Sequence, residues 1–304
     1  MIELRHRIIT GGSAGPRLLI TGGVHGDEYE PIAAIRRLMK LIDSPRLRGS
    51  VTLVPVVNEP AFWRGTRTGD DGLDLARTCP GNANASMTHR IAHALSKLIR
   101  ASDFYIDLHT GGIAYDIYPL TGYMLHDDKA VLDQQRRMAR TFNLPLVWGT
   151  SAKLDGRSLS VARDAKVPAI YAEHGGGGAC DAAGVHDYVD GCLNVMGELG
   201  MMDHPPPRSR VRHVIEDARD RSGHLQVQHP APIDGFFEPA VTLGDVVQAG
   251  QLLGHVYDFF GEDEEPVRAA EAGIVLMLRA INKVSVGEAL AAIAATTMAR
   301  ENES

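Results

Sequence analysis

The sequence predicts an α/β protein: a largely parallel sheet flanked by helices, followed by a small all-β unit. Three observations carry this. Short apolar runs end repeatedly in Gly-rich turns and lead into stretches of helical periodicity, the alternation that builds parallel sheets. A stretch reading M-M-D-H-P-P-P-R-S-R at residues 201–210 then interrupts the pattern. Its consecutive prolines stop a helix and favour an extended polyproline conformation. Beyond it the texture changes to alternating strands and Gly turns. The expected division is a catalytic domain over residues 1–204 and a β-barrel-like domain over residues 205–304.

The elements follow in order. Residues 1–9 read as an opening strand and 17–21 as a second, buried one. The second ends in G-G-V-H-G-D-E, which places His25, Asp27 and Glu28 at the C-terminal end of a strand. Open α/β sheets put their ligand sites there. Pro31 suits the first turn of a helix, where its missing N–H costs nothing. Ile32, Ile35, Leu38, Met39 and Ile42 then mark one apolar face. The β-branched run at 51–57 reads as a buried parallel strand. Residues 58–84 form a long polar loop carrying Arg64, Arg67, Asp71, Asp74 and Arg77. A loop of that length in a compact domain is functional or disordered, and Phe62, Trp63, Leu73 and Leu75 anchor this one.

A helix over 88–100 precedes a strand at 104–108 that ends in D-L-H-T-G-G, so His109 repeats the position of His25. A helix at 127–142 and a short strand at 144–148 come next, and Ser158 is placed to cap a helix reaching Lys166. The apolar strand at 168–172 delivers Glu173 and His174 into four glycines, which let a carboxylate approach a site unhindered. Residues 183–202 are helical in pattern. In the last third, 235–256 and 273–293 form a weak repeat, each turning at a Gly (Gly250, Gly287) between two apolar stretches. Two such units facing each other make a small flattened barrel.

Composition narrows the function. With 44% hydrophobic and 23% charged residues, the 304-residue chain can bury a full core. A net charge of −7 and no long basic run argue against a nucleic-acid partner. No apolar stretch spans a bilayer and M-I-E-L-R-H-R is no signal peptide, so no membrane partner and a cytoplasmic location are expected. The three cysteines, Cys79, Cys180 and Cys192, form no C-x-x-C pair and fit a reducing compartment. Any metal must therefore use His, Asp and Glu. His25 and Glu28 can be aimed at one ion from a single backbone turn, and Zn²⁺ accepts nitrogen and carboxylate oxygen. H-x-x-E alone carries little weight, since polar residues commonly follow strands. His109 at a matching strand end supplies a third ligand, and Asp107 can support a ligand from behind.

These residues resemble the succinylglutamate desuccinylase/aspartoacylase family of zinc carboxypeptidase-like hydrolases. The match lies in H-G-D-E at 25–28, N-E-P-A-F-W-R-G-T-R at 58–67, D-L-A-R at 74–77, D-L-H at 107–109 and Y-A-E-H-G at 171–175. The resemblance implies a zinc-exopeptidase-like three-layer α/β/α domain with a mixed, largely parallel sheet, and a small lipoyl-like barrel after it. It implies one Zn²⁺ per chain on His25, Glu28 and His109, with Glu173 as general base and then acid. Arg67 would steady the tetrahedral oxyanion, and Arg77 would clamp a substrate carboxylate with Asp74 orienting it. Arg64 stands in reserve for either role. The implied substrate is a small N-acyl amino acid, N-acetyl or N-succinyl, with N-acetyl-diaminobutyrate among the candidates, and a homo-oligomer is expected by analogy. Ala76 replaces the family's Asn, so carboxylate recognition is weakened or rerouted. A metallocarboxypeptidase and a non-catalytic binding protein of the same fold are the alternatives.

Overall fold

Leu18, Leu19 and Ile20 are buried on both faces of a sheet because helices cover it from either side. The structure, a computed structural model, describes residues 2–220 and 222–295. Its first part holds strands β1 (Arg7–Thr10), β2 (Ser13–Thr21), β3 (Arg48–Val54), β4 (Phe104–His109), β5 (Tyr115–Met124), β6 (Leu146–Thr150), β7 (Ala169–Gly176) and β8 (His213–Glu216). The helices are α1 (Glu30–Leu41), α2 (Glu59–Arg64), α3 (Met87–Arg100), α4 (Lys129–Phe142), α5 (Ser158–Asp164) and α6 (Ala182–Glu198). Strands β3, β2, β4 and β7 run parallel in that order, with β1 antiparallel at the edge.

Side-chain alternation assigns the helices to the two faces. Leu18, Ile20, Ile106 and Ile170 share a core with Ile35 and Leu38 of α1, Met138 and Phe142 of α4, and Tyr188 and Val195 of α6. Leu19, Val54 and Tyr105 point the other way, onto Ile91 and Leu95 of α3 and Leu159 and Val161 of α5. The result is three layers around a mixed sheet. Among the described residues no helix is long and apolar enough to cross a membrane.

Two expectations change here. Strand β5 is not anticipated by the sequence pattern, because Pro119 interrupts it and proline cannot join a ladder. The structure accommodates it with an irregularity between Ile117 and Leu120 in the antiparallel pairing with β7. Ser158 does not cap α5, which starts with it and ends at Asp164. Its hydroxyl donates instead to Asp107.

The last third adds β9 (Gly235–Pro239), β10 (Val246–Val247), β11 (Leu252–Tyr257), β12 (Glu264–Arg268), β13 (Gly273–Arg279), β14 (Lys283–Val284) and β15 (Ala291–Ala295). The two repeat units interlock: β14 pairs with β9, and β10 pairs with β13. Each unit thus lends its short strand to the first strand of the other. Phe237, Leu253, Val256, Val275, Leu290 and Ile293 fill the space between. This β unit is not separate from the large sheet. Strand β13 pairs with β5 through Met277 opposite Ile117, and β8 pairs with β6.

The buried stripe of α1 gives a direct test. Leu38 is fully buried and Leu41 is 56% exposed. Leu38→Ala is expected to cost about 2–5 kcal/mol in chemical denaturation. Leu41→Ala is expected to stay within about 0.5 kcal/mol of the parent.

Candidate metal centre and active-site cavity

Parallel neighbours end on the same side, so β2, β4 and β7 bring their C-terminal residues to one rim. His25 follows β2 through a turn in which Gly23 takes a left-handed φ of 61°. Gly26 then lies flat against α2; a Cβ there would come within 2.0 Å of the Ala61 carbonyl carbon. His109 closes β4 and faces Glu173 of β7 as its register partner.

The two imidazoles converge on one carboxylate. His25 Nδ1 lies 2.6 Å from Glu28 Oε1, and His109 Nδ1 lies 3.1 Å from Glu28 Oε2. Their ring centroids are 5.4 Å apart. The far nitrogens are each held by an acid: His25 Nε2 lies 3.1 Å from Asp74 Oδ1, and His109 Nε2 lies 3.1 Å from Asp107 Oδ2. One ligand atom from each of His25, Glu28 and His109 falls within 4.8 Å of the others. Burial alone would raise the Glu28 pKa, but the two imidazoles override it and hold the carboxyl well below the usual range. Burial would likewise lower His109, and the charges of Asp107 and Glu28 lift it well above its ordinary value. Two imidazoles and a carboxylate, each ring backed by its own acid, form a donor set that suits a divalent cation.

Glu173 is half-buried, and its Oε2 is shielded without a hydrogen-bond partner. Burial pushes its pKa up to about 8; the charge of Glu28 adds to the shift, and His109 opposes it. An acid of that kind beside a cation site can exchange a proton near neutrality.

Arg67 is anchored beside this cluster. Its Nε and Nη2 donate to Asp74 Oδ2 at 3.1 and 3.0 Å, and its Nη1 lies 4.0 Å from Glu28 Oε1. Arg77 lines the same cavity and donates to the Ala76 carbonyl at 2.8 Å. Asp74 bonds to Arg67 and His25, and its charge acts on Arg77 as well. One expectation is corrected. Arg64 lies outside the cavity, exposed and paired with Asp70 at 2.8 Å, because it ends α2 on the solvent side.

The cavity has a volume of about 100 Å³. It holds residues that sequence reasoning missed. Arg157 lines it, donates to the Gly223 carbonyl at 3.1 Å, and is pushed down to about 10 by burial and the neighbouring Arg77. Tyr171 lines it too, its ring packed where any side chain on Gly122 would sit. Gly223, Leu225, Gln226 and Met277 close one wall from the C-terminal part of the chain. The one signal in the sequence is the place of Arg157 directly before Ser158 at the start of α5.

A model of the succinylglutamate desuccinylase/aspartoacylase catalytic domain matches residues 14–199. This chain belongs to that family. An N-alpha-acetyl-L-2,4-diaminobutyric acid deacetylase of Halomonas elongata is 34% identical over 92% of this chain and 82% of its own length. The product-bound ectoine utilization protein EutE (DoeB) of Ruegeria pomeroyi is 27% identical, with a TM-score of 0.87 over 96% of this chain and 88% of that one. A succinylglutamate desuccinylase/aspartoacylase from Rhodobacter sphaeroides is 28% identical, with a TM-score of 0.84 over the same shares.

Asp74 and Asp107 hold the two imidazoles from behind. Asp74→Ala and Asp107→Ala are each expected to weaken divalent-metal affinity about 10- to 100-fold. Competition with a chromophoric chelator measures it, and unchanged affinity in both variants would remove the acids from that role.

Proposed function

We propose that this chain is a zinc-dependent deacylase that hydrolyses the amide bond of a small N-acyl amino acid. The carrying observation is the meeting of His25, Glu28 and His109 opposite a Glu173 whose Oε2 has no partner. His25, Glu28 and His109 would hold one Zn²⁺ per chain. When bound, the ion supplies Lewis acidity that polarises an amide carbonyl and makes water a better nucleophile at neutral pH.

The chain's own groups do the rest. Glu173 takes a proton from the attacking water and passes it to the leaving amine nitrogen. Arg67, fixed by Asp74, offers positive charge to the oxygen of the tetrahedral state. Arg77 and Arg157, neighbours on the cavity lining, grip the substrate carboxylate together, a rerouting of recognition around Ala76. Leu225, Gln226 and Met277 wall the cavity on one side, which supports a small substrate over a peptide. Glu173 in register with His109 weighs against a binding protein that has lost catalysis.

Among acyl amino acids, the relative from Halomonas elongata favours N-α-acetyl-L-2,4-diaminobutyrate. We read residues 1–204 as the catalytic domain and 205–304 as a lipoyl-like unit docked on it, a reading supported by the interlocked repeat. A cytoplasmic setting agrees with three free cysteines, two of them buried.

Purified protein is expected to carry about one zinc per chain, and His25→Ala to lose it, by elemental analysis. Glu173→Gln is expected to keep the metal while kcat falls about 10²- to 10⁴-fold. Amine release from a panel of N-acetyl and N-succinyl amino acids and C-terminal dipeptides then separates the readings. Release from dipeptides alone would overturn the deacylase assignment. Arg157→Ala is expected to raise KM for the acyl amino acid about 10- to 100-fold, the worth of a hydrogen bond to a charged group.

A further inference from the structure

Two exposed features outside the lining of the metal-centre cavity complement each other. The first is the tip of the hairpin joining β11 to β12. Phe259 is 95% exposed and Phe260 is 85% exposed, so two whole phenyl rings stand in water. The turn beneath them is built. Asp258 Oδ1 accepts from the backbone N–H of Phe260 at 3.2 Å and of Glu262 at 2.8 Å, and the Asp258 N–H donates to the Asp263 carbonyl at 3.1 Å. Held this way, the backbone beneath the rings loses little freedom on docking. Glu262, Asp263 and Glu265 surround them, and none has an ion pair among the described residues.

The second feature is a pocket of about 360 Å³ at the edge of the large sheet. Met39, Pro55, Val56, Phe62 and Trp63 form its apolar lining, and Trp63 is 77% exposed beside the edge-on ring of Phe62. Its rim is basic. Arg5 is neutralised by Glu59, but Arg7 on the rim is exposed and without an ion pair among the described residues. Arg36 and Lys40, outside the pocket lining but on the helix that supplies Met39, are exposed in the same condition.

We propose that the Phe259–Phe260 tip of one copy of this chain docks into the Met39–Trp63 pocket of a second copy. Charge decides the occupant. A tip facing another tip would set two clusters of carboxylates against each other, whereas the basic rim of the pocket attracts them. Aromatic anchors entering an apolar pocket, ringed by opposite charge, are the usual anatomy of an interface hot spot. The contact joins unlike surfaces, so each copy keeps one tip and one pocket available, and assembly proceeds to a ring or a chain.

Sedimentation of the full-length protein tests this. The parent is expected to associate with concentration and to dissociate as salt rises. Phe259→Ser/Phe260→Ser, which leaves the Asp258 turn in place, is expected to weaken association roughly thirtyfold or more. Trp63→Ala/Arg7→Glu is expected to do the same from the pocket side. Both variants should keep the parent's circular dichroism and hydrolytic rate. Mixed one to one, they are expected to form a pair that grows no further, since one retains only its pocket and the other only its tip. A parent monomeric at every concentration, a tip variant that associates like the parent, or variants that do not pair on mixing would each overturn the proposal.

Discussion

The buried carboxylate of Glu28 is the constraint on which the rest of the site depends. At 1% exposure it would be costly to keep charged, and it is kept so by an imidazole at each oxygen. Those imidazoles would turn freely without the acids behind them. Asp74 comes from the long loop and Asp107 from β4 itself, so loop and sheet each fix one ring. Asp107 is in turn held by the hydroxyls of Thr21 and Ser158, one on the neighbouring strand and one at the start of α5. The arrangement is a chain of charge-assisted hydrogen bonds running from the sheet interior to a single point. Each member is oriented by the one behind it.

Much of this was legible in the sequence because it follows from strand direction. An apolar run that ends in glycines and then offers His or Glu needs only parallel neighbours to become a shared rim. His25 follows such a glycine turn, while His109 and Glu173 stand just before theirs and face each other in register. Glu28 follows from local spacing. The mixed α/β sheet and the β texture of the last third were equally accessible, since periodicity depends on short stretches of chain.

What escaped the reading depends on contacts between distant segments. Arg64 and Arg67 sit three positions apart in one polar loop, and nothing in their spacing separates them. The helix α2 does, ending at Arg64 and reversing at Gly65 with a left-handed φ of 63°, so that Arg64 meets Asp70 in solvent and Arg67 turns inward. Asp74 acts on its neighbour Arg77 through its charge alone, while it accepts hydrogen bonds across the loop from Arg67. Strand β5 was hidden by Pro119, which a ladder admits only at an irregularity. Arg157 is held at the cavity by the Gly223 carbonyl, a contact 66 residues away that local pattern does not carry.

The C-terminal third has a bearing on chemistry that its sequence texture does not suggest. Residues 222–226 pass beside the cavity. The Ser222 hydroxyl accepts from the Ser151 N–H, and the Gly223 carbonyl accepts from Arg157. Gly223, Leu225 and Gln226 then form the wall facing the metal centre, joined by Met277 from β13. Strand β13 is itself part of the large sheet through β5. The β unit therefore reaches the cavity twice, once as a wall and once as the acceptor that fixes a guanidinium. If Arg157 grips the substrate, its aim is set by a backbone carbonyl outside the family's catalytic domain. Substitutions that shift residues 222–226 should then alter which carboxylate is accepted while leaving the metal ligands untouched, because Asp74 and Asp107 hold those ligands independently of that strap.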